Sequence, residues 1–521
     1  MSKETLEIFL TMCCYMALVI GIGLYFAKRA NENSENYFIG GRSLGPWVAA
    51  MSAEASDMSG WLLMGLPGVA YWCGLSDAAW TAIGLLAGTY VNWLIVAKRL
   101  HGYSIVAGNA ITIPDFFSNR FKEKNKVIMT ISAVFILVFF TVYAASCFVT
   151  VGKLFSTLFG FSYQSMMIAG AIFVVTYTFL GGFLAESVSD FMQGVVMIFA
   201  LIVILGTSVS VAGGPAAVME NIKDIPGFLT FFGIARPEVA DGVQKLSASG
   251  APLFGDAAKY GFLTIISTMS WGLGYFGVPQ VLLRFMAIRR HSELTKSRRI
   301  ATVWCAISLF SAVLIGLIGR SLYPAELLTK STSESIFITL STNLLPPVLA
   351  GLVMAGILAA TISSSDSYLL IAASAFSKNI YQGIFKKNAT DKQVMRFSRI
   401  ILLLIALVGV LLALDEKSVI FNIVSFAWAG FGATFGPIML FSLFWKRTTM
   451  QGAIAGLLSG GIMVFVWKIL IKPLGGVFGI YELLPAFVVS SVIIIIVSLL
   501  TKEPSEEMQK EFEMARAYRD E

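Results

Sequence analysis

Two long apolar stretches of this chain are each interrupted near the middle by small or polar residues. The first covers residues 46–71 and is interrupted at 52–60; the second covers residues 262–286 and is interrupted at 272–279. Backbone groups without helical partners are tolerated inside a bilayer only where they line a protected cavity. Two such breaks in corresponding halves of a membrane chain are typical of secondary transporters, where they form a substrate and ion site at mid-membrane.

The composition is that of a protein that crosses a membrane many times. Of the 521 residues, 57% are hydrophobic and only 13% are charged, against about 45–50% and about 25% in soluble domains. Apolar windows of about 20 residues predict thirteen spans and an all-α polytopic fold.

The basic residues are concentrated in alternate short loops. This distribution follows the positive-inside rule of membrane proteins, so the net charge of +7 does not indicate nucleic-acid binding. The same rule places the N-terminus outside the cell and the C-terminus in the cytoplasm, in a multi-pass protein of the cell membrane. Basic loop segments lie at 98–99, 120–126, 289–299 and 378–392.

The spacing of the breaks divides the chain into two units. Spans two to six occupy residues 46–212 and spans seven to eleven occupy residues 261–446, and each unit opens with an interrupted helix. An odd number of spans per unit makes the two units inverted repeats. Residues 1–45 supply an extra span and a cytoplasmic loop, 213–260 an extracellular loop with at most a short helix, and 447–521 spans twelve and thirteen and a cytoplasmic tail.

Asp57 lies in the middle of span two. An unpaired charge there costs about 2.5–3.5 kcal/mol on insertion scales, so the carboxylate needs a partner, a cation or a proton. One interpretation is that it accepts backbone N–H groups at the helix break. The other is that it provides an anionic environment for a monovalent cation.

Backbone and hydroxyl oxygens suited to such a cation lie nearby in the predicted structure. The break removes the helical partners of the Ala55 and Met58 carbonyls, and free carbonyls are ligands for hard cations. In span nine the i, i+3, i+4 spacing places the Ala360 carbonyl and the hydroxyls of Ser363 and Ser364 on one helical face. The alternative is that both serines bond only to their own backbone.

Four longer motifs extend these observations: GRSLGP at 41–46, ASDMSGWLLMGLPG at 55–68, WGLGYFG at 271–277 and FAWAGFG at 426–432. Over nearly the whole chain, they resemble the sodium/solute symporter family. The resemblance implies a leucine-transporter-like fold, Na⁺ as the coupling ion and no enzymatic activity. It also implies a sodium site with these members: the carbonyls of Ala55, Met58 and Ala360, the hydroxyls of Ser363 and Ser364, Asp57, and Asp190 on the sodium path.

In members of the family that transport proline, substrate is bound at positions that match seven residues of this chain. These positions are Ser59, Gly60, Trp61, Tyr143, Trp271, Tyr275 and Pro279. The residue types suit a small zwitterion, because glycine allows close backbone approach, a broken helix offers N–H groups to a carboxylate and aromatic faces enclose a cationic nitrogen. Besides this substrate, only membrane lipid is expected as a partner; no obligate protein partner is indicated.

Two positions depart from the family pattern. Ser364 replaces a threonine and keeps the hydroxyl. Glu54 replaces a small residue three positions before Asp57, so two carboxylates share one low-dielectric region. Either Glu54 faces a basic residue such as Arg42 or water, or it contributes to proton coupling or to a second cation. The role of Asp366, a further acid in span nine, is not assigned.

The resulting prediction is sodium-coupled uptake of L-proline by alternating access. Symport of another small carboxylate or amino acid, with proton coupling through Glu54, is the alternative. An intramembrane enzyme is disfavoured because the only histidines, His101 and His291, lie in predicted loops. A passive channel is disfavoured because the breaks surround one site and not a pore axis.

The C-terminal segment after Pro504 predicts one more helix, outside the membrane. Ser505 is a suitable N-cap, acidic residues follow it, and Met508, Phe512 and Ala515 share one face. We expect a cytoplasmic surface helix; a regulatory contact is the alternative.

Overall fold

The computed structural model describes residues 2–30, 32, 34–180 and 182–518. Within these residues, ten helices are long and apolar enough to cross a membrane, and three shorter apolar helices accompany them, Trp61–Cys73, Tyr163–Phe179 and Phe262–Phe276. The three shorter helices lie in predicted spans two, five and seven. The thirteen-span prediction therefore matches the helices that the structure describes.

The helices of the first half are numbered in chain order. They are α1 (Lys3–Ala30), α2 (Ser34–Ile39), α3 (Pro46–Asp57), α4 (Leu66–Cys73), α5 (Leu75–Val91), α6 (Ala97–Val106), α7 (Ile113–Arg120), α8 (Val127–Phe159), α9 (Tyr163–Leu180), α10 (Phe183–Val211) and α11 (Pro215–Ile222). Short π-helical segments, Trp61–Gly65 and Asn92–Val96, join α3 to α4 and α5 to α6.

The second half continues this numbering. Its helices are α12 (Phe262–Met269), α13 (Pro279–Ala287), α14 (Leu294–Leu322), α15 (Ile336–Leu344), α16 (Pro347–Ser374), α17 (Asp391–Leu412), α18 (Ile420–Phe444), α19 (Met450–Val466), α20 (Leu483–Leu500) and α21 (Glu506–Ala517). A π-helical segment, Ala375–Phe385, prolongs α16.

The first predicted break is present in span two. The backbone leaves the helical region at Met58 (φ −80°, ψ 71°), directly after α3. In a continuous helix the amide of Ser59 would bond the Ala55 carbonyl; here it bonds the Asp57 carbonyl instead, at 2.9 Å. The Ala55 carbonyl therefore loses its helical donor in the middle of the span.

The second predicted break is present in span seven. After α12 the chain tightens into a 3₁₀ segment, Ser270–Phe276, and Val278 is extended (φ −76°, ψ 113°). Pro279 then occupies the first turn of α13, where its missing N–H and fixed φ are tolerated.

The loop between α10 and α12 differs from its prediction. Besides the short helix α11, it contains four strands: β1 (Gly233–Pro237), β2 (Val239–Ala240), β3 (Val243–Gln244) and β4 (Phe254–Lys259). β1 pairs antiparallel with β4, and β2 with β3. The expectation of at most a short helix was wrong because prolines and glycines, read as signs of irregular chain, here separate short hairpin strands.

The interior of the molecule is formed by α3, α16 and α18. Residues 49–57 of α3 are buried. In the most apolar part of the span that contains α16, and likewise in α18, 83% of the residues are buried. A helix buried all round in a membrane protein faces other protein and not lipid, so polar groups on these three helices are shielded from lipid.

The C-terminal helix is present as predicted. The Ser505 hydroxyl accepts the Met508 amide at 3.4 Å, and Met508, Phe512 and Ala515 are buried. The Phe512 ring lies edge-on to Tyr103 of α6, with centroids 6.1 Å apart.

Candidate functional site

The first break and span nine meet at one carbonyl oxygen. The Ser363 hydroxyl donates to the Ala55 carbonyl at 2.8 Å, and the Ser364 hydroxyl lies 3.3 Å from the same oxygen. Ser363 also lies 3.3 Å from the Ala360 carbonyl of its own helix. Four neutral oxygens from two helices are therefore gathered in a buried place, and this donor set fits a hard monovalent cation such as Na⁺.

The alternative that Ser363 and Ser364 bond only within their own helix does not hold, since both reach across to α3. Ser365 provides the contrast: its hydroxyl donates to the Thr361 carbonyl of the same helix at 2.6 Å. Met58 is fully buried and is the first residue beyond α3. Its amide still bonds the Glu54 carbonyl, at 2.8 Å.

Asp57 follows Ala55 by two residues and is fully buried. The Tyr275 hydroxyl, from the second break, donates to its Oδ2 at 2.7 Å. Its Oδ1 has no hydrogen-bond partner among the described residues. No backbone amide in the described part of the chain bonds this carboxylate, so the helix-capping interpretation is not what the structure shows. Asp57 instead joins the two interrupted helices.

Glu54 does not face Arg42, so that interpretation is wrong. The Arg42 guanidinium bonds the Met286 carbonyl at 2.6 Å and the Ala110 carbonyl at 2.7 Å. The loop that carries it lies at the end of α13, away from the middle of α3. Glu54 is buried, its Oε1 accepts the Trp93 indole N–H at 3.3 Å, and its Oε2 has no partner among the described residues.

Asp190 lies in a separate buried network around Arg284. Arg284 Nη2 is paired with Asp190 Oδ2 at 3.2 Å and, more closely, with Glu186. The Ser52 hydroxyl donates to Asp190 at 2.7 Å. Arg284 and Glu186 were not predicted as site residues. The signal was present, because an arginine within an interrupted membrane helix requires acidic partners.

This network is adjacent to the oxygens around Ala55. Arg284 Nη2 donates to the Ser367 hydroxyl at 2.9 Å, and that hydroxyl donates to the Ser363 carbonyl at 3.0 Å. Ser52 precedes Ala55 by about one turn of α3. Asp366 is also buried; its Oδ1 accepts the Ser367 amide at 2.8 Å and its Oδ2 is unpartnered among the described residues.

Aromatic side chains from both breaks form a wall next to Asp57. The rings of Trp61 and Trp271 are 6.1 Å apart, and Trp271 also stacks on Tyr481 at 5.3 Å. The Trp428 indole donates to the Trp271 carbonyl at 2.7 Å, and the Trp428 ring meets Tyr275 edge-on at 5.0 Å. Trp428 and Tyr481 come from spans outside the two breaks.

Several buried hydroxyls near this wall lie close to one another but make no hydrogen bond of normal geometry with the described residues. They belong to Ser59, Tyr143 and Tyr368. The rings of Tyr143 and Tyr368 stack at 4.2 Å. Buried polar groups are nearly always hydrogen-bonded, so such a set is suited to a polar ligand. Tyr368 was not predicted as a site residue; it follows the serine-rich turn of α16.

The remaining two predicted residues, Gly60 and Pro279, shape the backbone. A Cβ added to Gly60 would overlap the side chain of Thr150, so α8 packs directly against the first break. Pro279 is buried at the start of α13 and does not belong to the aromatic wall.

Comparison with known proteins identifies the family of this chain. The family model for the sodium:solute symporter family matches residues 37–460. The chain belongs to the sodium:solute symporter family. A sodium/proline symporter of Staphylococcus aureus (strain USA300 / TCH1516) is 41% identical over 504 residues, which cover 96% of this chain and 93% of that protein.

Solved structures show the fold of this family member. A Na⁺-coupled sialic acid symporter, in a substrate-bound outward-open state, superposes with a TM-score of 0.76 at 17% identity, covering 96% of this chain and 99% of that chain. Mhp1, a nucleobase-cation-symport-1 family transporter in a closed conformation, superposes with a TM-score of 0.54 at 12% identity, covering 92% and 99%. The symporter therefore has the leucine-transporter-like fold of five-plus-five inverted repeats. It is a sodium-coupled membrane transporter and not an enzyme.

Proposed function

We propose that this symporter uses the inward movement of Na⁺ to accumulate L-proline by alternating access. The observation that carries the proposal is the meeting of Ser363 and Ser364 with the Ala55 carbonyl at the first break. In the proposal, the ion is held by the carbonyls of Ala55, Met58 and Ala360 and by the two hydroxyls. Asp57 supplies the negative charge, and Asp190 lies on the path of the ion.

The substrate in this proposal lies between the aromatic wall and the unpartnered hydroxyls. Trp61, Trp271 and Tyr275 would enclose the apolar ring and the cationic nitrogen. The backbone N–H of Gly60 and the hydroxyl of Ser59 would face the carboxylate, and the Tyr143 hydroxyl would satisfy a remaining polar atom. Proline as substrate is supported by the 41% identity to symporters of that name.

Two inverted units, residues 46–212 and 261–446, would move against each other around this site. The N-terminus would lie outside the cell and the C-terminus in the cytoplasm. A sodium ion that enters down a potential of 100 mV releases about 2.3 kcal/mol. Since about 1.4 kcal/mol corresponds to a factor of ten, one ion supports roughly a fifty-fold gradient of proline before the sodium gradient is counted.

Uptake of labelled proline into proteoliposomes tests the proposal. An imposed inward sodium gradient should drive accumulation above the external concentration, and collapsing the gradient with a sodium ionophore should release the label. Asp57→Ala should insert normally but fail to accumulate proline. Equilibration without accumulation would indicate a passive pore and contradict symport.

Competition by unlabelled solutes in the same assay distinguishes the second candidate, symport of another small carboxylate or amino acid. The feature that favours it is Glu54, a buried acid with one unpartnered oxygen in the described structure, which could carry a proton or fit a different substrate cation. If another unlabelled solute inhibits the uptake of labelled proline at a far lower concentration than unlabelled proline does, that solute is the substrate. Sodium-coupled symport would then still hold.

A further inference from the structure

A large basic cavity lies at the end of the molecule that the charge distribution predicts to be cytoplasmic. It has a volume of about 790 Å³ and is bounded by the π-helical end of span three, the loop after α13 and the end of α21. Lys98, Arg99, Arg290 and Arg516 line it together with His291, and no aspartate or glutamate is among its described lining residues. The cavity is therefore a concentration of positive charge contributed by three separate segments.

Three of the cations that line the cavity differ from their neighbours in having no ion-pair partner. The side chains of Lys98, Arg290 and Arg516 are exposed and make no hydrogen bond or ion pair with any described residue. Elsewhere along α21, acidic side chains neutralise nearby lysines: Glu511 pairs with Lys122, and Glu513 with Lys446 at 3.3 Å. These two acids of the helix thus face other cations and not Lys98, Arg290 or Arg516.

One wall of the cavity is apolar and belongs to a membrane span. Leu94 and Ile95 are 40% and 36% exposed, and both lie within the span helix Leu75–Val106. They line the same cavity as Lys98 and Arg290. A site that joins apolar, membrane-facing side chains to a cluster of cations at the membrane boundary has the two-part chemistry of an anionic phospholipid.

We propose that this cavity binds an anionic phospholipid, with the headgroup phosphate among Lys98, Arg290 and Arg516 and the glycerol backbone and upper acyl chains along Leu94 and Ile95. The site is separate from the ion and substrate residues. It connects to them through the backbone, because Arg290 follows α13 and the chain just before it pairs with the segment that leads into α3. The Leu44 amide donates to the Ala287 carbonyl at 3.2 Å, and the Arg289 amide donates to the Leu44 carbonyl at 3.0 Å. A bound lipid would therefore hold α21 against the inner half of the second interrupted span.

Thermal unfolding of the purified full chain in detergent, titrated with defined lipids, tests the site. Dioleoylphosphatidylglycerol should raise the unfolding temperature at lower concentration than dioleoylphosphatidylcholine, which has the same chains and no net charge. Each cation near an anionic surface changes affinity about fivefold. The combined variant Lys98→Gln, Arg290→Gln, Arg516→Gln should therefore need on the order of a hundredfold more phosphatidylglycerol for the same shift.

The matched control removes three exposed lysines from another predicted cytoplasmic segment, with Lys386→Gln, Lys387→Gln and Lys392→Gln. It should respond to phosphatidylglycerol as the unmodified protein does, and the charge-conserving variant Lys98→Arg, Arg290→Lys, Arg516→Lys should keep most of the response. Native mass spectrometry should show one retained phosphatidylglycerol that the neutralised variant loses.

Three results would overturn the proposal. The first is equal stabilisation by phosphatidylglycerol and phosphatidylcholine, and the second is a loss of response in the lysine control variant equal to that in the neutralised variant. The third is full stabilisation by soluble glycerol phosphate or inorganic phosphate, which would identify a free anion and not a lipid as the occupant. Since the assay does not measure transport, these results are independent of whether proline is the substrate.

Discussion

At the scale of single residues, the serines of α16 offer a matched comparison. Ser363 reaches the Ala55 carbonyl of another helix, whereas Ser365 bonds only its own helix. One hydrogen-bonding oxygen contributes about 0.5–1.5 kcal/mol, so Ser363→Ala should raise the sodium concentration for half-maximal proline uptake about tenfold. Ser365→Ala removes the same atom from the same buried helix and should change that concentration less than twofold. Equal effects of the two substitutions would show that the serines act through helix packing and not as ion ligands.

Glu54 is the residue whose role the sequence left most open. Its one side-chain hydrogen bond within the described residues comes from the Trp93 indole, which donates to Oε1. A glutamine amide can accept the same bond, so Glu54→Gln should keep sodium-driven accumulation and the pH profile of uptake between about pH 5 and pH 8. The measurement is initial uptake at fixed sodium across that range. A profile that flattens in the variant would show that Glu54 exchanges a proton during transport.

At the scale of helices, the sequence predicted what the local backbone determines and overlooked what distant segments bring together. The breaks at 52–60 and 272–279 could be read directly, because small and polar residues in an apolar stretch are a local signal. The serine face of α16 followed from helical spacing. The contact of Tyr275 with Asp57 and the stacking of Tyr368 on Tyr143 depend on the packing of separate helices, and no spacing along the chain specifies them.

Gly60 allows a prediction at this scale, because it is where α8 packs against the first break. A methyl group there would overlap Thr150, and overpacking costs about 1–3 kcal/mol. Gly60→Ala should therefore lower the rate of proline uptake more than tenfold, and Thr150→Ala should restore part of it in the double variant. Gly206→Ala is the control, since nothing lies within 4 Å of that position in α10. A Gly60→Ala protein that transports normally would show that the break tolerates displacement from α8.

At the scale of the whole molecule, the ion pairs that were hardest to predict are those that join side chains of the two units. Arg284 follows the second break, while Glu186 and Asp190 come from the last span of the first unit. The family resemblance implied that Asp190 lies on the sodium path but indicated no partner for it, because pairing across 94 residues of chain depends on how the units pack. The strands β1 to β4 escaped prediction for a different reason, as their pairing depends on turns and not on apolar periodicity.

A link between the two proposed sites leads to a prediction for the complete symporter. The Tyr275 hydroxyl donates to Asp57 at 2.7 Å, and Asp57 follows Ala55, a proposed ion ligand, by two residues. This pair therefore joins the aromatic wall to the segment that carries the proposed ion site. If Na⁺ raises the affinity for proline by some factor, then proline must raise the affinity for Na⁺ by the same factor, typically about 5–150-fold for coupled sites. Equilibrium binding of labelled proline at several sodium concentrations, and of sodium at several proline concentrations, measures both factors in detergent without transport. Tyr275→Phe removes the connecting hydroxyl but keeps the ring, and it should reduce both factors together. Two factors that differ from each other would mean that one ligand also binds at a second place, and a factor of one in both titrations would mean that ion and solute do not share a site.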